Sequence, residues 1–288
     1  MEANKFSWDY AQLERILRAY GDTRPVESVI AQYEYEREMA RRLLQASREE
    51  RQALYKEVYN NLYQNFPEHP GLTNRHSPQR KQKIRRLVEH IQPFLSPESV
   101  FVEIGSGDCL LAYEVAPMVK RVYALEVSSE KVAPQPPEVR NFTLVLFDGF
   151  EIPLDNSSVT VAFSDQVLEH LHPEDALEHL REVYRTLTQG GYYICRVPHR
   201  FTGPHDISKY FTEQASGLHI KEYTYYELAV LFRKAGFSRL NALIKGRCVP
   251  ARWMGALERL LAPLPHRVRK RVAERLRVFR TVALVGQK

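Results

Sequence analysis

Chemistry-bearing residues crowd together in VFVEIGSGDC, from Val100 to Cys109. Glu103, Gly105, Ser106 and Gly107 follow a short apolar run directly and precede a helical pattern that opens at Leu110. Glycines in a strand-to-helix turn let backbone amides approach a ligand closely beside a helix N-terminus. Glu126 closes the next apolar run, VYALE, 21 residues after Gly105. A carboxylate at that place and spacing can accept from both hydroxyls of a ribose. A dinucleotide site would want a third glycine where Leu110 stands, so that a helix packs close beneath a pyrophosphate. Glu103 would also sit awkwardly beside phosphates, whereas it suits an ammonium or a sulfonium. The expected ligand is a nucleoside without phosphates.

Two later runs bring more polar groups to strand ends. LVLFDG places Asp148 and Gly149 after the third run, and VTVAFSDQVLEHL places Asp165 and Gln166 after the fourth, with His170 just beyond. Polar groups at consecutive strand ends define one crevice. Four histidines, His170, His199, His205 and His219, follow the fourth and fifth runs. Imidazole is the natural base near neutral pH, and His205, beside Asp206 in a loop, is the first candidate, with His170 and His199 next.

These residues need a frame. From Ser99 onward, strand-like runs at Val100–Ile104, Arg121–Leu125, Thr143–Phe147, Val159–Ser164, Gly191–Val197, Phe237–Ile244 and Phe279–Val285 are separated largely by helical patterns. That grammar means a doubly wound, mostly parallel sheet with helices on both faces. Residues 1–75 read instead as amphipathic helices, and Ser77-Pro78 as an N-cap followed by proline in the first turn. A second domain-sized unit is thus expected at 76–288.

The 288 residues, 44% hydrophobic and 26% charged, are an ordinary globular composition and exclude collagen-like or disordered readings. Cys109, Cys195 and Cys248 are too few and too scattered for a disulfide framework. No apolar run is long enough for a spanning helix, and the first residues lack a signal-peptide pattern, so a cytoplasmic location is expected. The net charge of +6 is uneven. Eleven Lys and Arg against two acids give Arg247–Lys288 a charge of +9, leaving −3 elsewhere. That basic stretch reads either as a solvated helix face or as a contact for an anionic surface through 267–277.

With these residues identified, the chain resembles the class I S-adenosylmethionine-dependent methyltransferases, in the type 11-like group with a (D/E)xGxGxG loop. The match lies in Glu103, Gly105 and Gly107, in Glu126, in Asp148, and in the run EIPLDNSSVTVAFSDQVLEHL. The later segments GGYYICRVPHR and EYTYYELAVLFRKAGF extend it, so that it covers roughly residues 75–288. Cys109 replaces the loop's third glycine, and Thr160 stands where the group usually carries an acid.

The resemblance implies a Rossmann-like seven-stranded fold with a helical insertion, about 247–277, before the last strand. It implies S-adenosyl-L-methionine held by Glu103, Gly105, Ser106, Gly107, Glu126, Asp148, Gly149, Asp165 and Gln166. The expected activity is methyl transfer to a small-molecule, glycan or lipid-linked acceptor at a hydroxyl oxygen. An RNA or protein acceptor using the basic helices, or a non-catalytic binding role, stays open. The tetrad and dipeptide of the common DNA-methylating groups are absent, so nucleic acid is not the expected partner. Some methyltransferases hold magnesium with ExxEH after the fourth strand. Here QVLEH has Gln166 in place of the first carboxylate, and two ligands are too few, so no metal is expected. Residues 1–75 could be a lid, an acceptor cap or a homodimerisation arm.

Overall fold

A computed structural model describes residues 8–75 and 77–288. The first seven residues of the expected extension, and His76 at its boundary, lie outside the described residues. Helices come first: α1 (Tyr10–Tyr20), α2 (Val26–Gln45), α3 (Arg48–Asn65), the single turn α4 (Pro70–Thr73) and α5 (Pro78–Ile91). Their ends follow local chemistry. Gly21 takes the left-handed conformation that closes α1. Ser47 and Glu50 form a reciprocal capping box on α3, and Ser77 caps α5 ahead of Pro78.

The sheet and its helices then alternate: β1 (Val100–Ile104), α6 (Leu110–Val115), β2 (Arg121–Glu126), β3 (Phe142–Leu146), β4 (Val159–Asp165), α7 (Pro173–Thr186), β5 (Leu187–Pro198) and α8 (Tyr225–Ala235). The chain ends with β6 (Arg239–Ile244), β7 (Arg247–Pro250), α9 (Ala251–Leu261), α10 (His266–Leu276) and β8 (Thr281–Gln287). The sheet order is β3-β2-β1-β4-β5-β8-β6-β7, parallel from β3 through β5 and antiparallel beyond. Buried aliphatic runs in β1 and β4 are what a sheet covered on both faces requires.

The class is the one expected, with eight strands rather than seven. The extra strand is β7, taken from the start of the basic insertion. Lys245 and Gly246 both adopt positive φ, 49° and 77°, and so make a tight turn that folds Arg247–Pro250 back on β6. The insertion is therefore helical only from Ala251.

Two apolar clusters lie against the sheet. One includes Ile84 and Leu87 of α5 with Leu111 and Ala112 of α6. The other joins Leu180 and Val183 of α7 and Leu228 and Phe232 of α8 to Leu43 of α2 and Leu54, Val58 and Leu62 of α3. The N-terminal helices thus share the main core. Strand order reverses between β1 and β4, and at such a point the strands' carboxyl ends open into a crevice.

Candidate active site

The β1–α6 turn is built for close approach. Gly105 and Gly107 have φ of 66° and 56°, where a side chain is strained. A Cβ at Gly105 would also collide with the Val167 side chain. Cys109 holds a φ of 60° without being glycine, fully buried at the start of α6. The Gly105 amide donates to the Leu125 carbonyl at 2.8 Å, tying the turn to the end of β2. Glu126, at that strand end, accepts from the amides of Gly107 at 2.7 Å and Val127 at 2.8 Å. Its carboxylate is thereby fixed while each oxygen keeps capacity to accept from a ligand.

Glu103 is buried, and its Oε2 has no hydrogen-bond partner. Burial pushes its carboxyl well above the usual range, with the nearby Asp108 charge adding to the effect. Asp108 itself is clamped by Arg80, at 2.6 and 2.9 Å. Burial also pushes Asp165 up, but Arg196 at 2.6 Å and Lys83 at 2.7 Å outweigh it and hold that carboxyl below its ordinary value.

One cavity of about 560 Å³ gathers these groups. Eight of the nine residues expected to hold the cofactor line it: Glu103, Gly105, Ser106, Gly107, Glu126, Gly149, Asp165 and Gln166. Asp148 does not. Its Oδ1 caps the turn after β3, accepting from the Phe150 amide at 2.9 Å and the Glu151 amide at 3.3 Å, and Gln52 approaches its other oxygen. Its neighbours Phe147 and Gly149 face the cavity in its place.

The histidines divide in the same way. His170 and His205 line the cavity, together with His219. His199 is fully buried elsewhere, its Nε2 paired with Glu258 at 2.8 Å and its Nδ1 accepting from the Phe201 amide at 3.0 Å. With both nitrogens spent, it holds loops together and takes no place at the cavity. His205 Nε2 faces Thr202 Oγ1 at 3.0 Å and the His199 carbonyl at 3.3 Å. Because the Thr202 hydroxyl donates to the Phe279 carbonyl, Nε2 carries the proton and Nδ1 keeps the lone pair. Burial holds His205 below its usual value. Asp206 does not pair with His205; it braces the loop by accepting from the amides of Ser208, Gly217 and His219.

Sequence reasoning missed the opposite wall. Tyr55, Tyr59 and Tyr63 of α3 and Gln32 and Glu36 of α2 close the cavity from the N-terminal side. Steps of four put the three tyrosines on one helix face, a spacing visible in the sequence. A buried ion pair docks this wall: Arg51 reaches both oxygens of Asp175 at 2.7 Å, and the Tyr55 hydroxyl adds a bond at 2.8 Å. Burial lifts Glu36 to about 7. Arg24, Arg75, Lys131 and Lys209 also line the cavity.

Residues 102–195 match the family described as methyltransferase domain. The matched stretch, about a third of the chain, runs from β1 into β5 and carries the glycine turn and Glu126. A Mycolicibacterium smegmatis protein named "Probable S-adenosylmethionine-dependent methyltransferase" is 29% identical over 136 residues, 47% of this chain and 51% of that protein. The chain thus spans about half the length of the curated relative it matches. Among solved structures, a chain of the "Complex between the Haloferax volcanii Trm112 methyltransferase activator and the putative methyltransferase" superposes with a TM-score of 0.51 at 20% identity, over 73% of this chain and 94% of that one. Haemonchus contortus phosphoethanolamine N-methyltransferase 1 does so with 0.51 at 16% identity, over 69% of this chain and 45% of that one. At these identities the likeness is one of fold. The matched stretch and the N-terminal helices line one shared cavity.

Proposed function

We propose that this chain transfers a methyl group from S-adenosyl-L-methionine to a hydroxyl oxygen of a small-molecule, glycan or lipid-linked acceptor. One observation carries the reading: a single cavity is walled by the glycine turn with Glu126 and also by His170, His205 and the α3 tyrosines. S-adenosylmethionine supplies an electrophilic methyl on its sulfonium, so the protein must mainly align, exclude water and accept a proton. Its parts fit the residues present. Glu126 is held to accept from ribose hydroxyls, and the partnerless Glu103 oxygen supports an ammonium or a sulfonium.

Residues 8–75 then act as the acceptor cap, and Arg75, Lys131 and Lys209 favour an acceptor with a phosphate or carboxylate. Arg267 and Arg271 of α10 and Trp253 and Leu260 of α9 are exposed, a combination that suits an anionic surface.

In the reaction the acceptor oxygen forms the new bond to the methyl carbon as the carbon–sulfur bond breaks. His205 Nδ1 takes the hydroxyl proton. Turnover on hydroxylated acceptors of these classes is the test. His205→Ala should lower it about 10²–10⁴-fold with cofactor affinity unchanged. Since burial lowers His205, the wild-type rate should rise with pH through a midpoint below about 6.5. A variant with near-normal turnover and the same pH profile would remove His205 from the mechanism.

A further inference from the structure

We propose that Glu169, His170 and His219 form a binding site for a first-row divalent transition ion, of the zinc type, at the acceptor wall of the cavity. One ligand atom from each of the three lies within 4.8 Å of the others. The sequence around QVLEH offers two of these ligands, and the fold brings the third from 49 residues further on.

The orientation of each side chain supports this. His170 Nδ1 donates to the Leu218 carbonyl at 2.9 Å, which leaves its Nε2 as the lone-pair nitrogen. His219 Nδ1 faces Glu222 Oε1 at 2.9 Å, so its Nε2 is the nitrogen left for a ligand. Metal-binding histidines are held in this way, one nitrogen fixed by a carbonyl or carboxylate and the other turned to the ion. Glu169 supplies the independent observation. It is completely buried, and neither carboxylate oxygen has a hydrogen-bond partner. A buried acceptor without a donor is costly, and a cation beside it removes the deficit.

The pieces are mechanically tied. Glu169 and His170 sit on one short turn, Leu168–His170. The Lys221 amide donates to the Glu169 carbonyl at 3.0 Å, fixing that turn to the segment bearing His219. The two imidazoles stand edge to face at 4.9 Å. Tetrahedral donors on bonds of about 2.1 Å lie ~3.4 Å apart, so side-chain rotation of Glu169 must close the remaining gap.

Two imidazoles and one carboxylate favour a borderline ion over magnesium or calcium, which prefer all-oxygen shells. His170 and His219 line the cavity, so the remaining coordination positions face the acceptor. An acceptor hydroxyl on such an ion loses its proton more readily. That use rests on the methyl-transfer reading, whereas the binding site stands without it.

The test is calorimetric titration of the full chain with zinc after dialysis against a chelator, with cobalt as a visible spectroscopic probe. One ion should bind per chain, and cobalt should show ligand-field bands. Glu169→Gln and His219→Gln should each weaken zinc binding at least about 100-fold, and Glu222→Gln about 10–100-fold. Cys248→Ser, which removes the exposed thiol, should bind as wild type. Binding of S-adenosylhomocysteine, measured on each variant, shows that it is folded. If a ligand variant fails to fold, Glu222→Gln carries the comparison. The proposal is overturned if wild type takes up no stoichiometric zinc, if the folded variants bind it as tightly as wild type, or if only Cys248→Ser loses it. Zinc uptake without S-adenosylhomocysteine binding would sink the methyl-transfer reading and leave the metal site standing.

Discussion

Carboxylates set the charge of His219. Burial opposes an imidazolium there, but the hydrogen bond to Glu222 and the charges of Glu169 and Asp206 lift its pKa to about 9. Burial lifts Glu169 to about 8, against the pull of His219. His170 faces the same cluster and stays neutral, since burial and the His219 charge lower it to about 3. Both raised groups bind a proton in the folded chain at pH values where the unfolded chain, at about 6.5 and 4.5, has released it. Their stabilisation is therefore present at low pH and lost as pH rises. In metal-free protein, stability should fall with rising pH, over about pH 4.5–8 through Glu169 and about 6.5–9 through His219, by up to about 1.4 kcal/mol per unit for each group. Thermal melts across that window check the sign. A melting temperature that holds level or rises would mean His219 is not charged in the folded state.

At the scale of elements, the docking of α3 on α7 decides whether the cavity has its helical wall. Arg51→Ala would leave Asp175 buried without its cation, and breaking such a pair costs about 3–5 kcal/mol. The variant should melt lower and expose α2 and α3 to proteolysis before the sheet. Unchanged melting and protease resistance would show that the apolar contacts of α3 suffice alone. This pair spans 124 residues, and no local pattern in the sequence announces it. What was legible was local: strand runs, the glycine turn, Glu126 at its strand end, and the cap at Ser77. What was hidden depended on three-dimensional neighbours. His199 follows a strand end as an active-site histidine would, yet Glu258, 59 residues on, turns it into a structural link. Asp148 occupies the expected strand end but spends Oδ1 on its own turn, while Gln52 of α3 reaches its other oxygen. The strand β7 was missed because charge made Arg247 look like part of a basic helix, while the Lys245-Gly246 turn decided otherwise. Charge likewise overstated the basic insertion: Lys270 donates to the Gly203 carbonyl, and Arg269 lies over Phe201 and bonds the Ala262 carbonyl, so only part of the set faces solvent.

Over the whole molecule, a parallel sheet places its reversal point between β1 and β4, and the N-terminal helices fold across the opening. One cavity is thus walled by the glycine turn and Glu126 on the sheet side and by the α3 tyrosines on the helical side. This account stands or falls on Glu126, the carboxylate that two backbone amides hold at the end of β2. Losing a charged acceptor to two ribose hydroxyls costs about 1.5–3 kcal/mol. The direct measurement is calorimetry of S-adenosylmethionine on wild type and on Glu126→Ala. The account predicts saturable binding by wild type and about ten- to hundredfold weaker binding by the variant, with the fold retained. Equal affinity in the two proteins, or no binding by wild type, would contradict it.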